Sequence, residues 1–202
     1  AGDASLWTGA DEGRWLGWLH TPSDAHDDLG PIKAFGAAVA REGLTHAALL
    51  GMGGSSLSAE VLRRSFGHPV GTPDLRVLDS TDPAQLRTFE RGLDLERTLF
   101  IVASKSGSTL EPTVFERYFF SRVTERYGPE AAGSRFIAIT DSGSALDQLA
   151  GARKYRAVFH GVRSIGGRFS AISPFGLVPA AVMGIDVTRL RERAALMAEA
   201  CS

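Results

Sequence analysis

The chain has 202 residues, 44% of them hydrophobic and 22% charged, and its 22 basic and 23 acidic side chains leave a formal net charge of -1. That balance argues against a phosphate-backbone partner such as DNA, and the length suffices for one large domain with no metal or disulfide to staple it. No run of about 18 apolar residues exists, so no membrane-spanning helix is expected.

The N-terminus lacks the basic and apolar segments of a secretory signal, and the lone Cys201 has no partner for an internal disulfide. Both features predict a soluble protein of a reducing, cytoplasmic compartment. Residues 1–28 read as an N-terminal covering segment. It holds all three tryptophans, Trp7, Trp15 and Trp18, and with Leu16 and Leu19 includes a helix-like spacing. A short helix packed over the domain is predicted, with the tryptophans as packing anchors. The main domain then runs over 29–202, opening with an amphipathic helix from Leu29 to Arg41 on Ile32, Phe35, Ala38 and Val39, which Gly43 stops.

From here short apolar runs alternate with longer periodic segments. Strands are predicted at His46 to Leu50, Leu75 to Leu78, Thr98 to Ala103, Phe136 to Thr140 and Tyr155 to Phe159. Helices are predicted at Ser56 to Phe66, Pro83 to Gly92, Pro112 to Tyr127 and Ala145 to Ala150. Strands that are apolar throughout are buried on both faces, which together with the repetition predicts an α/β fold with a parallel sheet between two helical layers. Asp82-Pro83 and Ser173-Pro174 carry the signature of an N-cap followed by proline, Gly184 ends the helix opened by the second, and Asp186 caps a last helix over Val187 to Ala200.

In such sheets ligands gather at the carboxyl ends of the strands, where three loops here are rich in glycine and serine. The most crowded is Ser104-Lys105-Ser106-Gly107-Ser108-Thr109-Leu110-Glu111, where hydroxyls, backbone N–H groups and a helix N-terminus could converge on an anion. Each charge-assisted bond would contribute roughly 1.5–3 kcal/mol. The alternative is a polar turn in which Ser108 caps the helix and Glu111 closes a capping box. Proline after Glu111 favours a helix start at Glu111 or Pro112, which leaves Ser108 free to face a ligand.

The loop Gly51-Met52-Gly53-Gly54-Ser55-Ser56 partly matches a dinucleotide-binding turn, with Asp79 as the ribose acid. Ser56 replaces its last glycine and Asp79 falls late, so a nicotinamide or flavin site is a weak alternative, and no phosphate-binding P-loop motif occurs. The loop Gly161 to Ser170 offers Arg163 and Arg168 beside Gly166 and Gly167. A guanidinium there can stabilise a developing oxyanion, or simply pair with a carboxylate or helix end. His20, His26, His46, His68 and His160 show no ligand spacing, so neither a metal nor a cofactor is expected.

Together Gly51-Met52-Gly53-Gly54-Ser55-Ser56-Leu57, Ser104-Lys105-Ser106-Gly107-Ser108-Thr109-x-Glu111 and Gly166-Gly167-Arg168-Phe169-Ser170 resemble the glucose-6-phosphate isomerase family. The entry Trp15-Leu16-Gly17-Trp18-Leu19 resembles the form fused behind a transaldolase. The resemblance implies a flavodoxin-like sugar-isomerase (SIS) domain, a three-layer sandwich with a five-stranded parallel sheet. It implies that Ser104, Ser106 and Thr109, with Lys105 beside them, receive the phosphate of a sugar phosphate, joined by Ser108 if the helix starts after it, and that Gly54 and Ser55 contact the sugar. Arg168 corresponds to the arginine that stabilises the enediol intermediate. The family's proton-transferring glutamate and ring-opening histidine lie in a second sugar-isomerase half that this sequence lacks, so the resemblance implies that half as a partner, and it admits a homodimer. Neither Glu111 nor His160 sits in a matching motif. A free-standing sugar-phosphate sensing module is the alternative reading.

Overall fold

In the computed structural model, which describes residues 6–22 and 28–201, the apolar runs become β1 (His46–Gly51), β2 (Asp74–Leu78), β3 (Thr98–Ala103), β4 (Phe136–Thr140) and β5 (Ala157–His160). They form one all-parallel sheet in the order β2-β1-β3-β4-β5, the flavodoxin-like order. Every residue of β3 and β4 is buried, as their unbroken apolar sequences require.

Around the sheet lie α1 (Gly30–Arg41), α2 (Gly54–Phe66), α3 (Pro83–Arg91), α4 (Leu110–Tyr127), the single turn α5 (Pro129–Ala132), α6 (Ala145–Ala152), α7 (Pro174–Val182) and α8 (Val187–Ala200). Alternation along β3 divides the core. Leu99, Ile101 and Ala103 join a cluster with Ile32 and Val39 of α1, Ala59 of α2 and Leu177 and Val178 of α7. Phe100 and Val102 point the other way, to Phe115, Phe119 and Val123 of α4 and Leu146 of α6. The result is a helix-sheet-helix sandwich. Phe175 through Val182 of α7 are all buried, which explains why that helix is apolar on every side.

The predicted caps form. Asp82 accepts from the N–H groups of Ala84 and Gln85, Ser173 from Phe175, and Asp186 from Thr188 and Arg189. Two segments depart from the sequence reading. Lys154 takes a left-handed φ of 52° and Tyr155 N donates to Ala150 O at 2.8 Å, so Tyr155 closes the turn after α6 and β5 begins at Ala157. In the N-terminal segment, Glu12–Trp15 and Gly17–Leu19 are single 3₁₀ turns in place of a helix. There Gly17 N donates to Ser164 O at 3.0 Å and Leu16 bridges Ile165, so backbone bonds to a distant loop displace helical ones. Of the predicted covering segment, residues 1–5 and 23–27, with His26 among them, lie outside the described residues.

One strut crosses the second core. Glu116, fully buried on α4, accepts from Tyr155 OH at 2.5 Å and from Arg153 Nη1. Burial, reinforced by the adjacent carboxylate, pushes the Tyr155 phenol well above its usual range. Nearby, Phe119 packs against Phe100, Phe89 and Tyr118, with ring centroids at 5.1, 6.0 and 5.1 Å. Phe119→Ala should therefore cost about 3–5 kcal/mol, read as a fall in the urea midpoint with an unchanged denaturant slope.

Candidate functional site

The strand order reverses between β1 and β3, so the loops leaving these neighbours diverge to opposite faces of the sheet. Each leads into a helix whose first N–H groups have no side-chain cap: α2 follows Gly53, and α4 follows Thr109. By contrast α3, α6, α7 and α8 are capped by Asp82, Ser144, Ser173 and Asp186, and the first N–H of α1 is taken by Asp28 Oδ1. In α2 the N–H groups of Ser55 and Ser56 are taken by Met52 O and Gly53 O, both at 3.1 Å, whereas the uncapped N-terminus of the 18-residue α4 presents donors and a positive dipole end suited to an anion.

Leu110 starts α4 one residue before the predicted range, with Pro112 third in the helix, where a missing N–H breaks no intrahelical bond. Ser108 lies outside the helix, and the alternative capping box with Glu111 does not form. The hydroxyls instead bond to one another: Ser108 Oγ donates to Ser106 Oγ at 3.1 Å, and Ser104 Oγ to Thr109 Oγ1 at 3.4 Å. Ser104 is buried, whereas Ser106, Ser108 and Thr109 are exposed. Ser55 lies in the first turn of α2.

Gly54 is dictated by backbone approach. A Cβ there would stand 2.3 Å from the carbonyl carbon of Gly167, so only glycine lets the start of α2 meet the 166–170 loop. Buried Ser170 fastens the contact, its Oγ donating to Gly167 O at 2.6 Å and lying 3.2 Å from Gly54 O. Arg168, carried on that loop, is exposed and makes no hydrogen bond or ion pair among the described residues. Arg163 is engaged, donating to Ser142 O at 3.0 Å.

Gly54, Lys105 and Arg168 line one cleft of about 550 Å³. The same cleft is lined by Trp7, Trp15, Trp18 and Phe169, with Asp11 and Glu12. Trp18 stacks on Phe169 at 4.9 Å and 14°. A hydrogen bond from the Thr8 hydroxyl holds the Glu12 carboxyl below its usual range, so the cleft lining carries a negative charge across neutral pH. Of the expected packing anchors among the described residues, only Trp18 stacks on the domain; Trp7 and Trp15 are exposed, and all three tryptophans line the cleft. Their clustering in the first 18 residues was the available signal, and it could not say which loop they would meet.

Ser104 opens instead onto a separate cavity of about 210 Å³ shared with Gly107 and Glu116. Ser55, Ser106, Ser108 and Thr109 line neither cavity. Asp79, the weak candidate for a ribose acid, lies in another groove with Glu60 and Arg63. His160 Nε2 lies 3.2 Å from Asp147 Oδ1, outside the cleft lining. Among the described residues no cluster of three or more His, Cys, Asp or Glu could hold a metal.

The sequence profile of the family described as Phosphoglucose isomerase matches residues 34–200. The chain belongs to this family. Phosphoglucose isomerase relatives agree: it is 36% identical over 201 residues to the glucose-6-phosphate isomerase of Citrifermentans bemidjiense, covering 89% of this chain and 38% of that one. Against the glucose-6-phosphate isomerase of Thermosynechococcus vestitus it is 35% identical over 216 residues, covering 94% and 40%. Among solved structures, a glucose-6-phosphate isomerase from Chlamydia trachomatis matches with a TM-score of 0.74 at 28% identity, over 90% of this chain and 38% of that one. A hypothetical protein from Thermus thermophilus matches at 0.82 and 30%, over 96% and 45%. The chain therefore spans about two fifths of the length of the curated phosphoglucose isomerase relatives it matches.

Gly54→Ala should drive the 166–170 loop off α2 at a cost of about 1–3 kcal/mol. The expected readouts are a lowered melting temperature and a shift in tryptophan emission as Phe169 leaves Trp18.

Proposed function

We propose that this chain is the amino-terminal, sugar-phosphate-binding half of a glucose-6-phosphate isomerase, which interconverts glucose 6-phosphate and fructose 6-phosphate through an enediol intermediate. The observation that carries the reading is a cleft beside the β1/β3 switch point in which Lys105 of the uncapped, hydroxyl-rich loop, the glycine-only contact at Gly54 and the exposed Arg168 share one lining. Relatives named as the enzyme favour this over a sensing module.

In this reading Ser104, Ser106, Ser108 and Thr109 receive the phosphate together with backbone N–H groups at the start of α4. Lys105 belongs to the same loop, and Gly54 and Ser55 meet the sugar. Proton transfer between C1 and C2 passes negative charge to an oxygen of the enediol. Arg168 answers that charge: its guanidinium stays protonated at any working pH and makes no hydrogen bond or ion pair among the described residues. The base that moves the proton lies in the remainder of the longer polypeptide, so the 202-residue chain binds ligand and turns over negligibly.

A saturating phosphorylated ligand at about 100 times its Kd stabilises the native state by about 2.7 kcal/mol. For a chain of this size that corresponds to a rise in Tm of about 5–10 °C. Thermal shift of the purified chain should show such a rise with 6-phosphogluconate and fructose 6-phosphate, and none with gluconate, NAD or NADP. An equal response to gluconate would remove the phosphate assignment. In the full-length enzyme, Arg168→Ala should lower kcat by about 100- to 1,000-fold with a smaller change in KM.

A further inference from the structure

Lys105 is the one cation within the hydroxyl stretch, and its charge is already committed. Nζ donates to Asp141 Oδ2 at 2.7 Å, to Oδ1 at 3.0 Å and to Val162 O at 3.2 Å. The main chain closes the other half of the loop: Asp141 N donates to Lys105 O at 3.1 Å, and Thr140 Oγ1 approaches the same carbonyl at 3.4 Å. Lys105 follows β3, Asp141 follows β4 and Val162 follows β5, so a single ion pair ties together the carboxyl ends of three adjacent strands.

The two side chains are only 20% and 21% exposed, which limits screening by solvent and salt. A pair so placed rigidifies what it joins, and removing one member strands the other's charge. The loops it joins are the ones that matter here. On one side stands Ser104 to Thr109; on the other, the segment that runs from Val162 to Arg168.

The geometry points to Asp141 as a positioning residue of the phosphate site. Through Lys105 it fixes the hydroxyl loop, and through the shared ammonium it fixes the Val162 end of the loop that carries Arg168. This rests on reading Ser104 to Thr109 as a phosphate site. Because the pair is neutral as a unit, the ligand's phosphate meets hydroxyls, backbone N–H groups and the N-terminus of α4, and Lys105 acts by holding the loop in shape.

The opposing view, in which Asp141 only masks a lysine that would otherwise bind phosphate, predicts the reverse sign. Removing a carboxylate beside an anion site would then tighten binding. We expect Asp141→Asn to weaken 6-phosphogluconate binding to the 202-residue chain at least tenfold, although it raises the net charge by one unit. Lys105→Met should lose a similar factor, and the double variant no more than the worse single one, because the two act as a unit. Asp141→Glu, which keeps the carboxylate, should stay within about threefold of wild type.

Amide hydrogen exchange on the ligand-free chain gives an independent reading. In Asp141→Asn, exchange should quicken at least tenfold in 104–109 and 162–168 while β1 and α1 keep their protection. Tighter or unchanged binding in Asp141→Asn, additive losses in the double variant, or unchanged exchange in both loops would each overturn the inference. Should Asp141→Asn fail to fold, Lys105→Met carries the same two predictions. If the wild-type chain binds no 6-phosphogluconate, the sugar-phosphate reading fails by itself, and the exchange measurement alone decides whether the pair holds the loops.

Discussion

An all-parallel sheet has to be covered on both faces, and most of this molecule follows from that constraint. Each strand needs a crossover helix to reach the next, and the helices divide between the faces: α1, α2, α7 and α8 on one, α3, α4 and α6 on the other. The chain runs outward from β1 to β2 and returns past β1 to lay down β3. At that reversal α2 leaves β1 toward one face and α4 leaves β3 toward the other. The start of α2 lines one cavity and the start of α4 another, and both openings are by-products of covering the sheet.

Electrostatically the cleft is set up by subtraction. Arg163 holds a backbone carbonyl, Lys105 is paired with Asp141, and Asp11 and Glu12 line the cleft that Arg168 also lines. Near the glycine contact, the Arg168 guanidinium has no partner among the described residues. In the proposed reading, neutral donors hold the phosphate and the Arg168 cation serves the point where charge develops, so two tasks would fall to two kinds of group on different loops.

Much of this was legible in the sequence because the relevant signals are local. Unbroken apolar runs marked β3 and β4 as interior strands, and Asp82, Ser173 and Asp186 marked helix starts because a cap acts on N–H groups two or three residues away. The motif loops could be placed at strand ends for the same reason. What escaped is non-local. Ser170 reaches Gly54 across 116 positions and Lys105 reaches Asp141 across 36, and no spacing rule connects either pair. Likewise Gly17 finds Ser164, and that backbone bond is what dissolved the expected N-terminal helix into two short turns. Tyr155 looked like the first residue of a strand, but its amide had a better partner in Ala150 O.

The buried Glu116 strut has a consequence for the timing of order. Glu116 lies six residues into α4, and its bonds to Arg153 and Tyr155 anchor that helix to the far end of α6. The helix can neither slide along its axis nor turn about it without stranding a buried carboxylate. Its N-terminal donors are therefore aimed before any ligand arrives. The entropy of arranging them is surrendered once, during folding, where the aromatic core around Phe119 offsets it, and it does not have to be surrendered again at each binding event.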